Sequence, residues 1–204
     1  MLEPANIYLT DNLYTMSESF IRNAESEIQQ LLNTDLTAAI DELNSQYSYE
    51  SVYSVVVYCA TGFTSMGLGF NTLEWLSEKV ASNTKVPSNI DTEEYLELHA
   101  SQWKKLNFAY EKFNDVNKRL DTLFDEFYEA DCSDEQIYEF FTKIVSQSIL
   151  SADIRNSINT VFKDELLLGL QFGDPSPQDW QAALDVSSLV NSAEWHSRLE
   201  SLVQ

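Results

Sequence analysis

Residues 51–59 read SVYSVVVYC and form the clearest strand signal in the chain. Valine and tyrosine suit the pleated surface of a sheet, and the nearly continuous apolar run predicts burial on both faces. Residues 60–63 (ATGF) have the composition of a hairpin loop. Residues 64–70 (TSMGLGF) would return as a second strand, which its two glycines weaken. The stretch therefore predicts a β-hairpin over residues 51–70.

Helical periodicity flanks the hairpin on both sides. Upstream, residues 15–44 carry apolar side chains at three- and four-residue steps, which predicts one or two helices. Downstream, residues 72–160 form a helical region. Asn71 is its expected N-cap, and Glu74 three residues later completes a capping box. Ser133 is the expected cap of a later helix.

The C-terminal third supplies a strand and two more helices. Residues 165–173 contain the run LLLGLQF, which predicts a late strand that joins the hairpin sheet. Two prolines then precede a pair of helices over residues 177–203, and residues 81–92 are expected to form an exposed loop. This order predicts an α+β fold, a small antiparallel sheet (hairpin plus late strand) covered by several helices. We expect residues 1–204 to form a single acidic domain.

The charge balance narrows the class of partner. The chain has 33 acidic and 12 basic residues, for a formal net charge of −21, and 44% hydrophobic residues. Binding to nucleic acid or to an anionic membrane needs clustered Lys and Arg, so both are unexpected. A basic protein is the natural complement, although acidity is also a common property of soluble bacterial proteins. The chain shows no secretory signal and no apolar stretch that could span a membrane, so we expect a cytoplasmic protein.

Candidate catalytic and metal-binding residues are few. His99 and His196 are the two histidines, and His196 with Glu200 makes an i, i+4 pair that could in principle ligate a metal or form a surface hydrogen bond. No metal motif accompanies them. Cys59 is expected to be a buried small hydrophobe, and acidic neighbours should raise the pKa of Cys132. We therefore expect no metal, no cofactor and no catalytic residue.

The strongest local feature is the acidic block, which we define as residues 121–139. It contains eight acids and no Lys or Arg. Asp121, Asp125 and Glu129 share one helix face, where like charges destabilise a helix by about 0.2–0.5 kcal/mol per pair. The block predicts a partner-binding surface made of Asp121, Asp125, Glu126, Tyr128, Glu129, Asp131, Asp134, Glu135 and Glu139. Two alternatives stay open: a solvated outer face, and intramolecular pairing with the five bases of residues 104–119.

Short motifs along the chain follow a pattern of strand, turn, strand and acidic helix start. They are VVVYC at residues 55–59, NTLE at 71–74, QWK at 102–104, the FxxVNxxL helix at 113–120, and an apolar strand that ends at Asp174. Over residues 53–174 the chain thereby resembles a bacterial domain family found partly beside polymorphic toxins, in the position of immunity genes. The hairpin turn lacks the acidic residues usual in that family. The resemblance implies an α+β fold and an immunity role, and it supplies no catalytic residues.

These observations lead to three hypotheses. The first is an immunity protein that binds and neutralises a cognate toxin, a basic nuclease effector, through an acidic surface. The second is an acidic protein-binding scaffold or nucleic-acid-mimic regulator without enzymatic activity. The third is an enzyme acting on small molecules, which the absence of a catalytic motif disfavours.

Overall fold

The structure is a computed structural model that describes residues 7–82, 91–162 and 165–203. In these ranges it contains eight α-helices and four strands joined by short 3-10 turns. The helices are α1 (Ile7–Tyr47), α2 (Leu73–Ala81), α3 (Thr92–Leu98), α4 (Asn114–Glu129), α5 (Asp134–Leu150), α6 (Ala152–Val161), α7 (Pro177–Val190) and α8 (Ala193–Val203). The strands are β1 (Val52–Cys59), β2 (Met66–Thr72), β3 (Lys105–Phe108) and β4 (Leu167–Phe172). The predicted α+β class is confirmed.

The four strands form one sheet in the order β3-β2-β1-β4. The predicted hairpin is confirmed, since β1 pairs with β2 in antiparallel fashion. The late strand joins the sheet as predicted, but β4 runs parallel to β1, so the sheet is mixed rather than antiparallel. The reason lies in the connection. The helices between β2 and β4 return the chain to the starting end of β1, and a parallel neighbour needs such a long crossover.

Strand β1 is buried along its whole length, as its composition predicted. On one face, Val55 and Val57 pack into the main core together with residues of α1, α4 and α5. On the other face, Val56 and Tyr58 contact a smaller cluster that includes Leu199 of α8. Helices therefore cover both faces of the sheet.

Helix α1 is one helix of 41 residues rather than two. The polar step at Thr34 and Asp35 does not break it, and the Thr34 hydroxyl donates to the Gln30 carbonyl at 2.9 Å within the helix. Asp35 is buried and accepts a hydrogen bond from the Val116 amide at 3.3 Å. Helix α4 has no capping side chain of its own at Phe113, so Asp35 caps it from a distant part of the chain.

The predicted cap of α2 was wrong by one residue. Thr72 is the N-cap, and its side chain accepts from the Trp75 amide. Asn71 lies inside β2, where its side-chain amide donates to the Tyr53 hydroxyl at 2.8 Å. The Glu74 carboxylate accepts from the Ser51 amide at 3.0 Å, so it ties α2 to the start of β1.

Four further outcomes concern a helix cap, a strand, a loop and the C-terminal helices. Ser133 caps α5 with a full capping box, as predicted. The strand β3 was not predicted, because its four residues (KLNF) are too few to give a clear strand pattern in the sequence. The predicted exposed loop at 81–92 falls largely on residues outside the described ranges, and Asp91 caps α3 by accepting from the Glu93 and Glu94 amides. The predicted C-terminal helices are present as α7 and α8.

Candidate partner-binding surface

The acidic block forms a corner between two helices. Its first half lies on α4 and its second half on α5, and the chain reverses between them at Asp131, whose φ is 56°. Hydrogen bonds close the end of α4: the Ala130 amide donates to the Glu126 carbonyl at 3.0 Å, and the Cys132 amide to the Phe127 carbonyl at 3.0 Å. A left-handed residue after a helix commonly ends it in this way.

Aromatic packing sets which side chains of the corner face outward. Phe127 is buried and its ring centroid lies 5.1 Å from that of Phe140, while Phe124 stacks on Phe141 at 5.9 Å. These contacts hold α4 against α5. Tyr128 points the other way and is 73% exposed.

The charges of the block are largely uncompensated. Glu126 forms a two-bond ion pair with Arg119, whose Nη1 and Nη2 lie 2.9 and 2.8 Å from its carboxylate oxygens. This pairing raises the pKa of Arg119. Within the described ranges, none of the other seven acids takes part in an ion pair. Of the eight acids of the block, Glu126 alone pairs with a base of residues 104–119 in the described part of the chain, so the alternative of intramolecular pairing applies to that one acid.

A groove of about 540 Å³ lies between α4, α5 and the hairpin turn. We call it the acidic groove. Asp121 on α4 and Asp134 on α5 line it from opposite helices, together with the rings of Phe124, Tyr128 and Tyr138. Carboxylates beside aromatic faces suit a cationic side chain, because ion pairing and the attraction of a cation to a ring act together.

Beneath the acidic groove lies a buried carboxylate that the sequence reasoning missed. Asp179 is 0% exposed and accepts hydrogen bonds from the Tyr138 hydroxyl at 2.9 Å, the Gly62 amide at 3.2 Å and the Ser176 amide at 2.9 Å. It thus joins α5, the hairpin turn and the start of α7. Burial raises the pKa of Tyr138, and its bond to Asp179 raises it further. The capping pattern Ser176-Pro177-Gln178-Asp179 would have been the sequence signal for it.

The nine predicted site residues take different places relative to the two grooves of this surface. Asp121, Tyr128 and Asp134 line the acidic groove. Glu135 and Glu139 face a second groove, between α5 and α7. The remaining four lie outside both grooves: Asp125, Glu126, Glu129 and Asp131. The structure therefore divides the block into two groove-lining sets and an outer rim.

The two histidines lie apart and make different contacts. His99 Nδ1 is 2.8 Å from the Ser101 hydroxyl, and its ring packs against Tyr95 and Trp180. Burial lowers the pKa of His99. His196 Nδ1 is buried and has no hydrogen-bond partner in the described part of the chain. No three His, Cys, Asp or Glu side chains are grouped as a metal site requires in residues 7–82, 91–162 and 165–203.

The cysteines behave as the sequence predicted. Cys59 is fully buried in β1, and burial raises its pKa well above the ordinary value. Cys132 is half-buried at the corner of the block. Its pKa is raised mainly by partial burial and in addition by the negative charge of Asp131. A raised pKa keeps a thiol protonated and a poor nucleophile.

Comparison of the chain with models of protein families, with curated proteins and with solved structures found no match. None of the described helices is both long enough and apolar enough to cross a membrane. The features of the chain that bear on its function are the acidic block, its two grooves and the motif resemblance.

Proposed function

We propose that this chain is a cytoplasmic immunity protein that binds a cognate basic toxin, a nuclease effector, through the acidic block. Two things support the proposal: the motif resemblance over residues 53–174 and the uncompensated charge of the block. Neutralisation requires no chemistry from this chain, because an inhibitor that covers the active site of a toxin stops the reaction.

The observation that carries the proposal is the set of seven acids that have no ion-pair partner among the described residues. Such a surface produces a negative field that steers a basic protein toward it and accelerates association. Nucleases bind the phosphate backbone with clustered Lys and Arg. The acidic block is complementary to that kind of cluster.

The acidic groove offers a place for one cationic side chain of the toxin. An Arg or Lys that enters it meets Asp121 and Asp134 and lies against the ring of Tyr128. Aromatic residues and arginines dominate the binding energy of many interfaces, while the surrounding charges affect mainly the association rate. Tyr128 would then act as the anchor and the outer rim as the steering surface.

The test begins with the open reading frame beside the gene. If it encodes a toxin, coexpression of this chain should restore growth, and the two purified proteins should form a complex. Association is then measured by stopped flow at low and at physiological ionic strength. The test variant combines Asp121→Asn, Asp125→Asn and Glu129→Gln. We expect it to associate about tenfold more slowly than the wild type, and its association rate should depend less on salt.

A matched control removes the same number of charges elsewhere. The control is a triple variant that neutralises three exposed acids on α1, α2 and α6: Asp41→Asn, Glu78→Gln and Asp153→Asn. This variant should associate at close to the wild-type rate. Equal rates and equal salt dependence for the wild type and the first variant would reduce the block to a solvated face. If the protein encoded by the neighbouring open reading frame is not toxic, the proposed immunity role is wrong.

A further inference from the structure

A second groove, of about 720 Å³, lies between α5 and α7. We call it the α5–α7 groove. The two helices run in the same direction along it: Tyr138 meets Asp179 at one end, and Leu150 and Leu189 line the other. At a helical rise of about 1.5 Å per residue, the distance from Tyr138 to Leu150 is about 18 Å. The groove is therefore long enough for roughly three turns of another helix.

One end of the α5–α7 groove is apolar and open. Leu150 is 47% exposed and Leu189 is 60% exposed. They are two of the six large apolar or aromatic side chains that are exposed among the residues whose burial the structure describes. Between the helices the floor is formed in part by the small side chain of Ala182, which is buried. An apolar side chain from outside could cover both leucines and remove them from water.

The rest of the α5–α7 groove is negatively charged. Glu135 and Glu139 line it from α5, and Asp185 lines it from α7. Lys143 is the one base among the described lining residues, and its Nζ lies 2.8 Å from both carboxylate oxygens of Glu25. Its charge is therefore offset, so the groove as a whole complements a positively charged occupant.

We infer that the α5–α7 groove receives an amphipathic helix of the basic partner. The apolar face of that helix would cover Leu150 and Leu189, and its Lys or Arg residues would face Glu135, Glu139 and Asp185. An amphipathic helix in a groove between two helices is a common recognition mode. The inference rests on the proposed function for the basic character of the partner. The two grooves share Tyr138 and Gln178 in their linings, so one partner can occupy both.

A labelled synthetic peptide tests the inference on the full-length chain. The probe has about 18 residues, with leucines at the i, i+3, i+4 and i+7 positions of one face and lysines elsewhere. A peptide of the same composition in scrambled order, and one with glutamates in place of the lysines, are the controls. By fluorescence anisotropy we expect the amphipathic basic peptide to bind at least about tenfold more tightly than either control.

Two variants locate the binding. Leu150→Gln with Leu189→Gln changes exposed side chains, and thermal melts check that the fold is retained. We expect this leucine variant to weaken peptide binding by about tenfold. The second variant combines Asp121→Asn, Asp125→Asn and Glu129→Gln, and it should change the peptide affinity by less than about threefold. In NMR spectra the methyl signals of Leu150 and Leu189 should shift on titration with the peptide.

Three results would overturn the inference. The first is peptide affinity unchanged by the leucine substitutions. The second is equal binding of the scrambled peptide. The third is a sedimentation result in which this chain forms a dimer and the variant with Leu150→Gln and Leu189→Gln is a monomer. The occupant of the groove would then be a second copy of the chain. The peptide assay requires no toxin, and the growth and stopped-flow assays require no peptide, so failure of the inference and failure of the proposed function can be told apart.

Discussion

Two acidic regions of the molecule differ in how their charges are used. Three acids of α1 and one in the turn after it form ion pairs with bases from distant parts of the chain. The pairs are Glu25 with Lys143, Glu27 with Arg119, Glu42 with Lys112 and Glu50 with Lys104. In the acidic block, one acid of eight has such a partner within the described ranges. A high content of acids therefore does not by itself indicate where the surface is strongly negative.

The difference follows from the packing of α4 along α1. Lys112 precedes α4 and Arg119 lies in its first half, so both reach the acids of α1. Arg119 marks the boundary between the two regions, because it bonds Glu27 on α1 and Glu126 in the block at the same time. Beyond Arg119 the chain has no base before Lys143. Apart from Glu126, the acids of the block therefore have no ion-pair partner among the described residues.

The largest effect should come from an acid whose partners are neutral groups. Asp179→Asn should lower the free energy of unfolding by about 3 kcal/mol, because an amide cannot accept from the Tyr138 hydroxyl and from the Gly62 and Ser176 amides at once. Urea denaturation measures the change. Asp185→Asn, an exposed change on the same helix, should alter it by less than about 0.5 kcal/mol. Similar values for the two variants would contradict the structural role of Asp179.

Asp35 is a buried acid with no cation partner among the described residues, and its contribution to stability should depend on pH. Burial raises its pKa to about 6 from an ordinary 3.8, so the folded state binds the extra proton between these values. The stability that it contributes is complete below pH 3.8 and is lost as the pH rises through 6. Asp35→Asn should therefore stabilise the protein by about 1–3 kcal/mol at pH 8 and change little at pH 4.

Chemical denaturation at both pH values measures the effect of Asp35→Asn. Asp41→Asn is the control, since Asp41 is exposed on the same helix. A stability change of Asp35→Asn that is the same at pH 4 and pH 8 would show that burial of the charge has no cost. A loss of stability at pH 8 would mean that the charged carboxylate is the better cap for α4.

Arg119 tests the boundary between the two acidic regions directly. Arg119→Gln removes both of its ion pairs, and we expect a stability loss of about 0.5–1 kcal/mol because the pairs are partly exposed. Lys118→Gln makes the same change in net charge at an exposed neighbour and should cost less than about 0.3 kcal/mol. Thermal melts at low and high salt measure both, and equal losses would mean that the two-sided pairing of Arg119 contributes nothing.

The last effect should be a gain in stability. Asp121, Asp125 and Glu129 repel one another along α4, and Glu129 also lies at the negative end of the helix dipole. Neutralising all three should stabilise the fold by about 0.2–0.5 kcal/mol per pair, and added salt should reduce the gain. The control variant at Asp41, Glu78 and Asp153 should show no such gain. A stability loss in the first variant would mean that these carboxylates make structural contacts.

Features that depend on neighbouring residues in the chain were predictable. The hairpin follows from the valines and tyrosines of β1, because strand propensity and burial act locally. The cap at Ser133 follows from a pattern of four residues, and the inner stripe of α5 from helical periodicity. The exposure of Tyr128 follows in turn, since the phenylalanines beside it occupy the inner face.

Features that depend on residues far apart in the chain were decided by the tertiary structure. A strand segment carries no signal for the direction of its neighbour, so the parallel pairing of β4 with β1 depends on the path of the intervening helices. The same holds for Asp35, which caps a helix that begins 79 positions later at Asn114. The tertiary structure also decides which acids the bases of residues 104–119 pair with, because Coulomb energy depends on distance in space rather than in sequence. The acidic block was visible in the sequence, and the folded packing determined that seven of its eight acids have no ion-pair partner among the described residues.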